Sequence, residues 1–396
     1  MITKIIDLKE FALLSDKEIE DILKPAIDDI KNSNVVAFPT ETVYGLGANA
    51  LNKDAVEKIF IIKGRPKDNP LIVHIGSIND INELIDLDKI DEKITKISKN
   101  IIRDRIEKAI KYLPGPISLI LPANTKIIPE ITRGKLPTVA IRFPDHKIAN
   151  ILIKGSGLPI AAPSANISGK PSCTKAEDVK NDFEGRIKYI IDGGNSVYGI
   201  ESTVVDLTSE KPYILRPGFI TKEDLIEDFN DIEYTQKLNF QNSPKSPGMK
   251  YTHYKPEAKV IIIIKECELD FLDNLFGLKN LFYNKIKRLS DINISFILKE
   301  NFLFINSFEL INNIFKNTEL SALINENAYS NNQKNKTEKI NFENPYDLAK
   351  NIYSIFREAD KKNLKYIIIK PFIKSSGIEF AILNRLIKAT EEIWII

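Results

Sequence analysis

Four stretches of the sequence gather side chains able to hold an anion or a small polar acid, each beside a short apolar run. Pro39-Thr40-Glu41-Thr42-Val43-Tyr44-Gly45 directly follows the apolar residues 35–38. Two hydroxyls and a carboxylate at a strand's carboxyl end suit a ligand crevice, although an ordinary polar turn has the same composition. Lys63-Gly64-Arg65-Pro66-Lys67-Asp68-Asn69 closes a helix and leads into the apolar run that ends at His74. An arginine fork grips phosphate through two parallel bonds, and lysine adds a compact charge. Basic residues in a helix's last turn also complement its dipole, and Lys63 taken singly needs no more than that. His74, inside an apolar strand, taken singly reads as a core histidine.

Arg142 ends the apolar residues 139–141, where a charge must be paired or must bind an anion such as a carboxylate; Asp145 is the nearby candidate partner. Ser164, Asn166 and Ser172 follow the apolar residues 160–162 and precede a helix that Thr174 and Glu177 would cap. Such a strand-loop-helix suits phosphate or adenine contacts, though Ser-rich loops are common without function. Ser202 and Thr203 open another strand, and Arg216 ends the next. Together these clusters suit an anionic nucleotide beside a small polar acid.

The elements that must position them are short. Ser15 and Glu18 form a capping box ahead of a helical face of Ile19, Ile22, Leu23, Ala26, Ile27 and Ile30. Apolar runs at 35–38, 71–73, 117–121, 139–141, 160–162, 189–191, 204–205 and 214–215 read as strands, with helices at 54–63 and 174–182 between them. That alternation predicts an α/β layer structure. Near residue 237 the composition turns to Gln, Asn, Ser, Pro and Gly, which marks a linker. The expected division is a catalytic unit over 1–232, a linker over 233–256 and a smaller α/β unit over 257–396. The last has strands at 259–264, 278–283, near Ile294 and Phe302, and at 366–369, with helices at 345–361 and 377–389. The polar residues 325–341 read as a loop.

Several classes of protein drop out. There is no G-x-x-x-x-G-K-[ST], H-E-x-x-H or G-x-S-x-G signature. Gly45-Leu46-Gly47 falls outside the first strand-helix turn that a dinucleotide fingerprint requires. Three histidines make a multi-histidine metal site unexpected. Lys and Arg number 56 against 54 Asp and Glu, a net +2 that argues against a dedicated nucleic-acid binder. Cys173 and Cys267 cannot build a disulfide scaffold or a four-cysteine zinc site. The longest apolar run, residues 260–264, is far shorter than a membrane span, and the first residues lack the apolar segment of a signal peptide. The expectation is a cytoplasmic protein without a membrane partner.

Thr40 to Leu46 within Pro39-Thr-Glu-Thr-Val-Tyr-Gly-Leu, Lys63-Gly-Arg65-Pro, Pro114-Gly-Pro-Ile-Ser118, Ala162-Pro-Ser164-Ala-Asn166 and Ser246-Pro-Gly-Met-Lys-Tyr-Thr-His-Tyr254 together resemble the Sua5/YrdC family. The likeness is to its long, two-domain Sua5 form. It is dense through Pro217, strong again in the linker, and thinner beyond it, where Gly377 to Arg385 matches best. The resemblance implies a YrdC-like twisted open sheet with a concave basic face, followed by a smaller Rossmann-like α/β Sua5 domain. It implies synthesis of L-threonylcarbamoyl-AMP and pyrophosphate from L-threonine, bicarbonate and ATP, with Mg²⁺ accompanying the ATP. The product serves modification of adenosine 37 in tRNA by a downstream transfer machinery, with weak tRNA contact at most. By the same matching, Lys63 and Arg65 are catalytic, and Thr40, His74, Arg142 and Ser202 contact L-threonine. Arg65, Asn69, Ser118, Ser164, Asn166, Ser172 and Arg216 contact ATP. Lys250, Tyr251, His253 and Tyr254 form a lid, and no protein metal site is implied. Ser118 stands where Thr is commoner, Cys173 where Pro is usual and Lys255 where Ala is usual. A module that holds RNA without nucleotide chemistry is one competing reading. Carbamoyl-adenylate handling, as in hydrogenase-maturation proteins, is another, but the zinc-finger and acylphosphatase-like segments it needs are not visible.

Overall fold

The computed structural model describes residues 1–89, 97–235, 254–282, 284–292, 301–306 and 337–396. In its first part the strands are β1 (Lys4–Asp7), β2 (Val36–Phe38), β3 (Gly45–Asn49), β4 (Ile72–His74), β5 (Ile117–Pro122) and β6 (Thr138–Arg142). Then come β7 (Ile160–Ala161), β8 (Tyr189–Asp192), β9 (Thr203–Asp206), β10 (Tyr213–Arg216) and β11 (Glu233–Tyr234). They form one mixed sheet in the order β1-β8-β2-β3-β7-β4-β6-β5-β9-β10-β11. The helices are α1 (Asp16–Lys31), α2 (Lys53–Lys63), α3 (Asp80–Leu84), α4 (Lys99–Ala109), α5 (Lys147–Ser156), α6 (Ala176–Phe183) and α7 (Lys222–Leu225).

Helix α1 starts as its sequence specifies. The Ser15 hydroxyl accepts from the Glu18 N–H at 3.3 Å, and Glu18 Oε2 accepts from the Ser15 N–H at 2.8 Å. Ile19, Leu23, Ala26, Ile27 and Ile30 are buried against Ile148, Leu152 and Ile153 of α5. Ile22, expected on that face, is 41% exposed, so the apolar stripe is narrower than the spacing suggests. Helix α6 starts at Lys175 without a side-chain cap, not on the expected Thr174 and Glu177 box. The Thr174 carbonyl instead accepts from the Ser196 N–H, tying the loop to the chain beyond β8.

Strand β3 is invisible to propensity because glycine opens it. A Cβ on Gly47 would lie 2.6 Å from Phe38 Cε1 and 2.6 Å from Ile160 Cγ2. The missing side chain leaves room for the buried Phe38 ring beside a segment that pairs with both β2 and β7, and is thus a strand and not a dinucleotide turn.

The second unit has β12 (Lys259–Ile264), β13 (Ile286–Arg288), β14 (Phe302–Ile305), β15 (Thr337–Ile340), β16 (Tyr366–Ile369) and β17 (Thr390–Ile395). Their order is β13-β17-β12-β16-β14-β15, and every described pairing is parallel. Parallel strands are covered on both faces, which accounts for the unbroken apolar runs of β12 and β16. The helices are α8 (Glu266–Phe276), α9 (Leu278–Leu281), α10 (Pro345–Lys361) and α11 (Gly377–Ala389). The strand expected at 278–283 is instead the short helix α9, since so brief an apolar run carries no period. The expected strand near Ile294 lies outside the described residues. Strand β17 was hidden by Glu391 and Glu392. Glu392 sits in the sheet because Lys259 and Lys287 approach it at 2.6 and 2.8 Å; despite partial burial they hold its carboxyl down at about 2. Among the described residues no helix is long and apolar enough to cross a membrane.

Candidate active site

Register places the polar side chains on one face of the large sheet. In the parallel β4–β6 pair, His74 is opposite Arg142. The antiparallel β5–β6 pairing, Leu119 with Ile141, brings Ser118 beside Arg142. Ser118 is opposite Val204 of β9, and the antiparallel β9–β10 pair sets Arg216 against Val204. Residues two apart on a strand share a face. Ile72, Ile120, Ala140, Val204 and Leu215 form a small buried apolar cluster beside these polar groups. The loops after β2 and β7 close the other side, with Ser164 bridged to Gly45.

The result is a pocket of about 570 Å³, open mouth included, whose walls include Thr40, Arg65, His74, Arg142, Ser164, Ser202, Arg216 and Tyr254. All four residues matched to L-threonine are there, with Arg65, Ser164 and Arg216 of the nucleotide set. The pocket lies across the sheet face as well as at strand tips, because Ile72 and His74, two apart on β4, both line it.

The remaining matched residues stand behind this wall. Lys63 is buried and donates from Nζ to the Ser164 carbonyl at 2.6 Å and to the Asn166 carbonyl. Burial, helped by the Arg65 charge, pulls its ammonium down to about 7. Its present work is to shape the Ser164–Asn166 loop, where Ser164 Oγ donates to Asn166 Oδ1 at 2.5 Å and Asn166 Nδ2 donates to the Ile167 and Lys170 carbonyls. Ser118 Oγ lies 2.8 Å from Ser202 Oγ and supports it from below. Ser172 donates to Glu201 Oε1 at 2.6 Å. Asn69 accepts from Arg65 Nε through its carbonyl at 3.3 Å, while both its amide atoms are buried without a hydrogen-bond partner. Lys250, Tyr251 and His253 lie outside the described residues.

Besides Arg65, two arginines line the pocket, Arg216 and Arg142. Arg216 donates from Nε to the Ser202 carbonyl and from Nη2 to Ser202 Oγ, both at 3.0 Å. Arg142, only 4% exposed, is paired through Nη2 with Glu41 Oε1 at 2.6 Å. The partner is therefore Glu41 and not the expected Asp145. The contact is close but poorly aligned: Arg142 Nε and Nη2 and both Glu41 oxygens lack a hydrogen-bond partner of good geometry. A guanidinium so held keeps donors for an incoming carboxylate. His74 is driven down to about 3 by burial and by the Arg142 charge, so it presents a neutral ring.

Sequence reasoning counted Glu41 only as a carboxylate of a ligand crevice, not as a partner for Arg142, and gave no role to Glu201. Both are buried, at 3% and 6% exposure, and both stand beside residues it did single out. The available signal was a carboxylate inside each polar cluster, since a buried charge requires a buried opposite. Tyr254 is 5% exposed, lines the pocket and stacks on Tyr353 with ring centroids 5.2 Å apart. Its φ of +70° is a left-handed conformation costing a bulky residue about 1–3 kcal/mol, sustained only where surrounding contacts fix it.

The Sua5–YciO–YrdC family model, described as telomere recombination, matches residues 28–218. The model of the threonylcarbamoyl-AMP synthase C-terminal domain matches residues 220–390. A mixed open sheet carrying a basic pocket, joined to a parallel-sheet unit, is thus a two-domain α/β architecture already known. The chain belongs to the Sua5/YrdC family, in its two-domain Sua5 form. It is 51% identical over 235 residues to threonylcarbamoyl-AMP synthase of Bacillus subtilis, covering 59% of this chain and 64% of that one. Against threonylcarbamoyl-AMP synthase of Pyrococcus abyssi it is 47% identical over 236 residues, covering 59% and 65%. The chain thus spans just under two thirds of these curated relatives in each alignment. The crystal structure of P. abyssi Sua5 complexed with L-threonine superposes over 100% of both chains, with 33% identity and a TM-score of 0.75.

Proposed function

We propose that this chain is an L-threonylcarbamoyladenylate synthase, a nucleotidyltransferase acting on L-threonine, bicarbonate and ATP. The observation that carries the reading is one pocket in which Arg142, His74, Thr40 and Ser202 meet Arg65, Ser164 and Arg216. That juxtaposition suits an amino acid held within reach of a nucleotide's α-phosphorus.

The chemistry asks for two bond-forming steps. The neutral amine of threonine forms a C–N bond to the carbon of bicarbonate, giving a carbamate and expelling water, or to that of CO₂, giving the same carbamate and releasing a proton. A carbamate oxygen then attacks the α-phosphorus of ATP, the α–β phosphoanhydride bond breaks, and pyrophosphate leaves. Neither step needs a covalent enzyme nucleophile. Both need positioning, charge neutralisation and exclusion of water, because carbamate and mixed anhydride decompose in it. Arg142 would hold the threonine carboxylate, and the neutral His74 ring would not compete with it for that anion. Arg65 and Arg216 would counter the charge of the triphosphate and of the departing pyrophosphate. Lys63 would act with them, chiefly by fixing the Ser164–Asn166 loop. Tyr254, and with it Lys250, Tyr251 and His253 of the linker, would cover the bound substrates.

Mg²⁺ would enter on the triphosphate, where it shields phosphate charge. Among the described residues no group of three His, Cys, Asp or Glu side chains fits a metal ion. Glu201, the carboxylate in the pocket wall, is already hydrogen-bonded to Ser172. The adenylate would pass in the cytoplasm to a machinery that modifies adenosine 37 of tRNA. A net charge of +2 supports no more than weak direct contact with the tRNA itself. The test is pyrophosphate release from ATP with threonine and bicarbonate omitted in turn. Release should require both, and release independent of threonine would overturn the reading.

A further inference from the structure

Resting on that reading of the pocket, we propose that Arg385 and Tyr353 of the C-terminal domain are positioning residues for nucleotide binding, acting through Glu201. Glu201 immediately precedes Ser202, and the two lead into β9. Its Oε1 accepts from the Ser172 hydroxyl at 2.6 Å, and its Oε2 accepts from the Tyr353 hydroxyl at 2.9 Å and from Arg385 Nε at 3.3 Å. One carboxylate thus receives a proton donor from the nucleotide side of the pocket and two from the second domain. Ser172 has a single hydroxyl proton and commits it to Glu201, which fixes the direction in which its lone pairs face.

Arg385 reaches further than the carboxylate. Its Nη2 donates to the Glu201 carbonyl at 3.4 Å, and its Nη1 donates to the Pro217 carbonyl and to the Ala381 carbonyl of its own helix. Glu201 adjoins Ser202, and Pro217 adjoins Arg216. The guanidinium therefore clasps from outside the two segments whose side chains join inside, where Arg216 donates twice to Ser202. Arg385 is 1% exposed, on α11. The ring of Tyr353 stacks on Tyr254, so α10 also supports the linker residue in the pocket wall.

A buried charged network is costly unless every member is satisfied, and removing one partner leaves the others desolvated and unpaired. Simple docking of the two domains would not require it. Arg357 already ties α10 to the first domain, through Asp182 at 2.9 Å and the Pro171 carbonyl at 3.1 Å. The Glu223 carboxylate does the same for the first residue of α11, accepting from the Gly377 N–H at 3.1 Å. What the Glu201 network adds is a fixed geometry for Ser172, Ser202 and Arg216.

The test uses the full chain and Tyr353→Phe, which keeps the stacked ring and deletes one hydroxyl. Losing a hydrogen bond to a carboxylate should weaken binding of a non-hydrolysable ATP analogue about tenfold, with a matching rise in KM for ATP. Threonine affinity, measured by calorimetry without turnover, should stay within about twofold. Ser172→Ala combined with Tyr353→Phe should cost little more than the larger single change, since both act through one carboxylate. Arg385→Lys, which keeps the charge but cannot reach both segments, should weaken the analogue more than Tyr353→Phe does. Unchanged analogue binding in Tyr353→Phe, effects that multiply in the double variant, or wild-type binding in Arg385→Lys would each overturn the proposal. A wild-type chain that binds neither threonine nor the analogue would instead overturn the reading of the pocket.

Discussion

Replacing Arg142 by methionine separates what the buried ion pair does for folding from what it does for threonine. Arg142 and Glu41 are 4% and 3% exposed, with Nη2 and Oε1 2.6 Å apart. Removing one member of such a pair leaves the other charge buried and uncompensated, a cost of about 3–5 kcal/mol. Adding Glu41→Gln in the same chain removes that stranded charge, and most of the lost stability should return. Binding should not return with it. A charged hydrogen bond to the threonine carboxylate is worth about 1.5–3 kcal/mol, which is roughly 10- to 150-fold in Kd. Urea unfolding reads the first quantity and calorimetric titration with L-threonine the second. The reasoning fails if the double variant, folded as stably as wild type, binds threonine within about twofold of wild type.

Three further outcomes follow from the same structure. Arg65→Ala should lower kcat/KM for ATP by about 10- to 150-fold, the loss of one charged partner, and turnover like wild type would remove Arg65 from the site. Lys63 is charged in the unfolded chain up to about 10.5 but in the fold only below about 7. Between those values the unfolded chain holds the extra proton, so Lys63's contribution makes stability rise with pH. Unfolding free energies from pH 7 to 10 should rise more steeply in wild type than in Lys63→Met, and parallel curves would contradict the burial argument. Gly47→Ala places a methyl 2.6 Å from two side-chain carbons and should cost about 1–3 kcal/mol in thermal or urea unfolding, whereas a neutral result would mean Phe38 and Ile160 give way freely.

Much of the pocket could be read from residue type and strand position alone. Arg142, Ser202 and Arg216 each stand where an apolar run starts or stops, and the order of strands in one sheet then brings them to the same pocket. Glu41 was not legible as the partner of Arg142 because its turn meets β6 only through tertiary packing, while Asp145 was close in sequence. Strand β3 escaped because glycine has low strand propensity, and its glycines answer to the Phe38 ring, a contact no local pattern encodes. The C-terminal sheet was legible wherever strands are continuously apolar. It was not where Glu391 and Glu392 interrupt β17, since Lys259 and Lys287, which neutralise Glu392, lie on other strands. In the linker, the aromatic content pointed to a cover over the site, and Tyr254 is the described residue of that set in the pocket wall.

The central claim is that threonine reaches the nucleotide only after gaining a carbon from bicarbonate. Mass spectrometry of the adenylate formed from ATP, L-threonine and ¹³C-bicarbonate addresses it directly. The account predicts a threonylcarbamoyl adenylate heavier by the single labelled carbon. An unlabelled adenylate of threonine alone, formed at the same rate without bicarbonate, would contradict it.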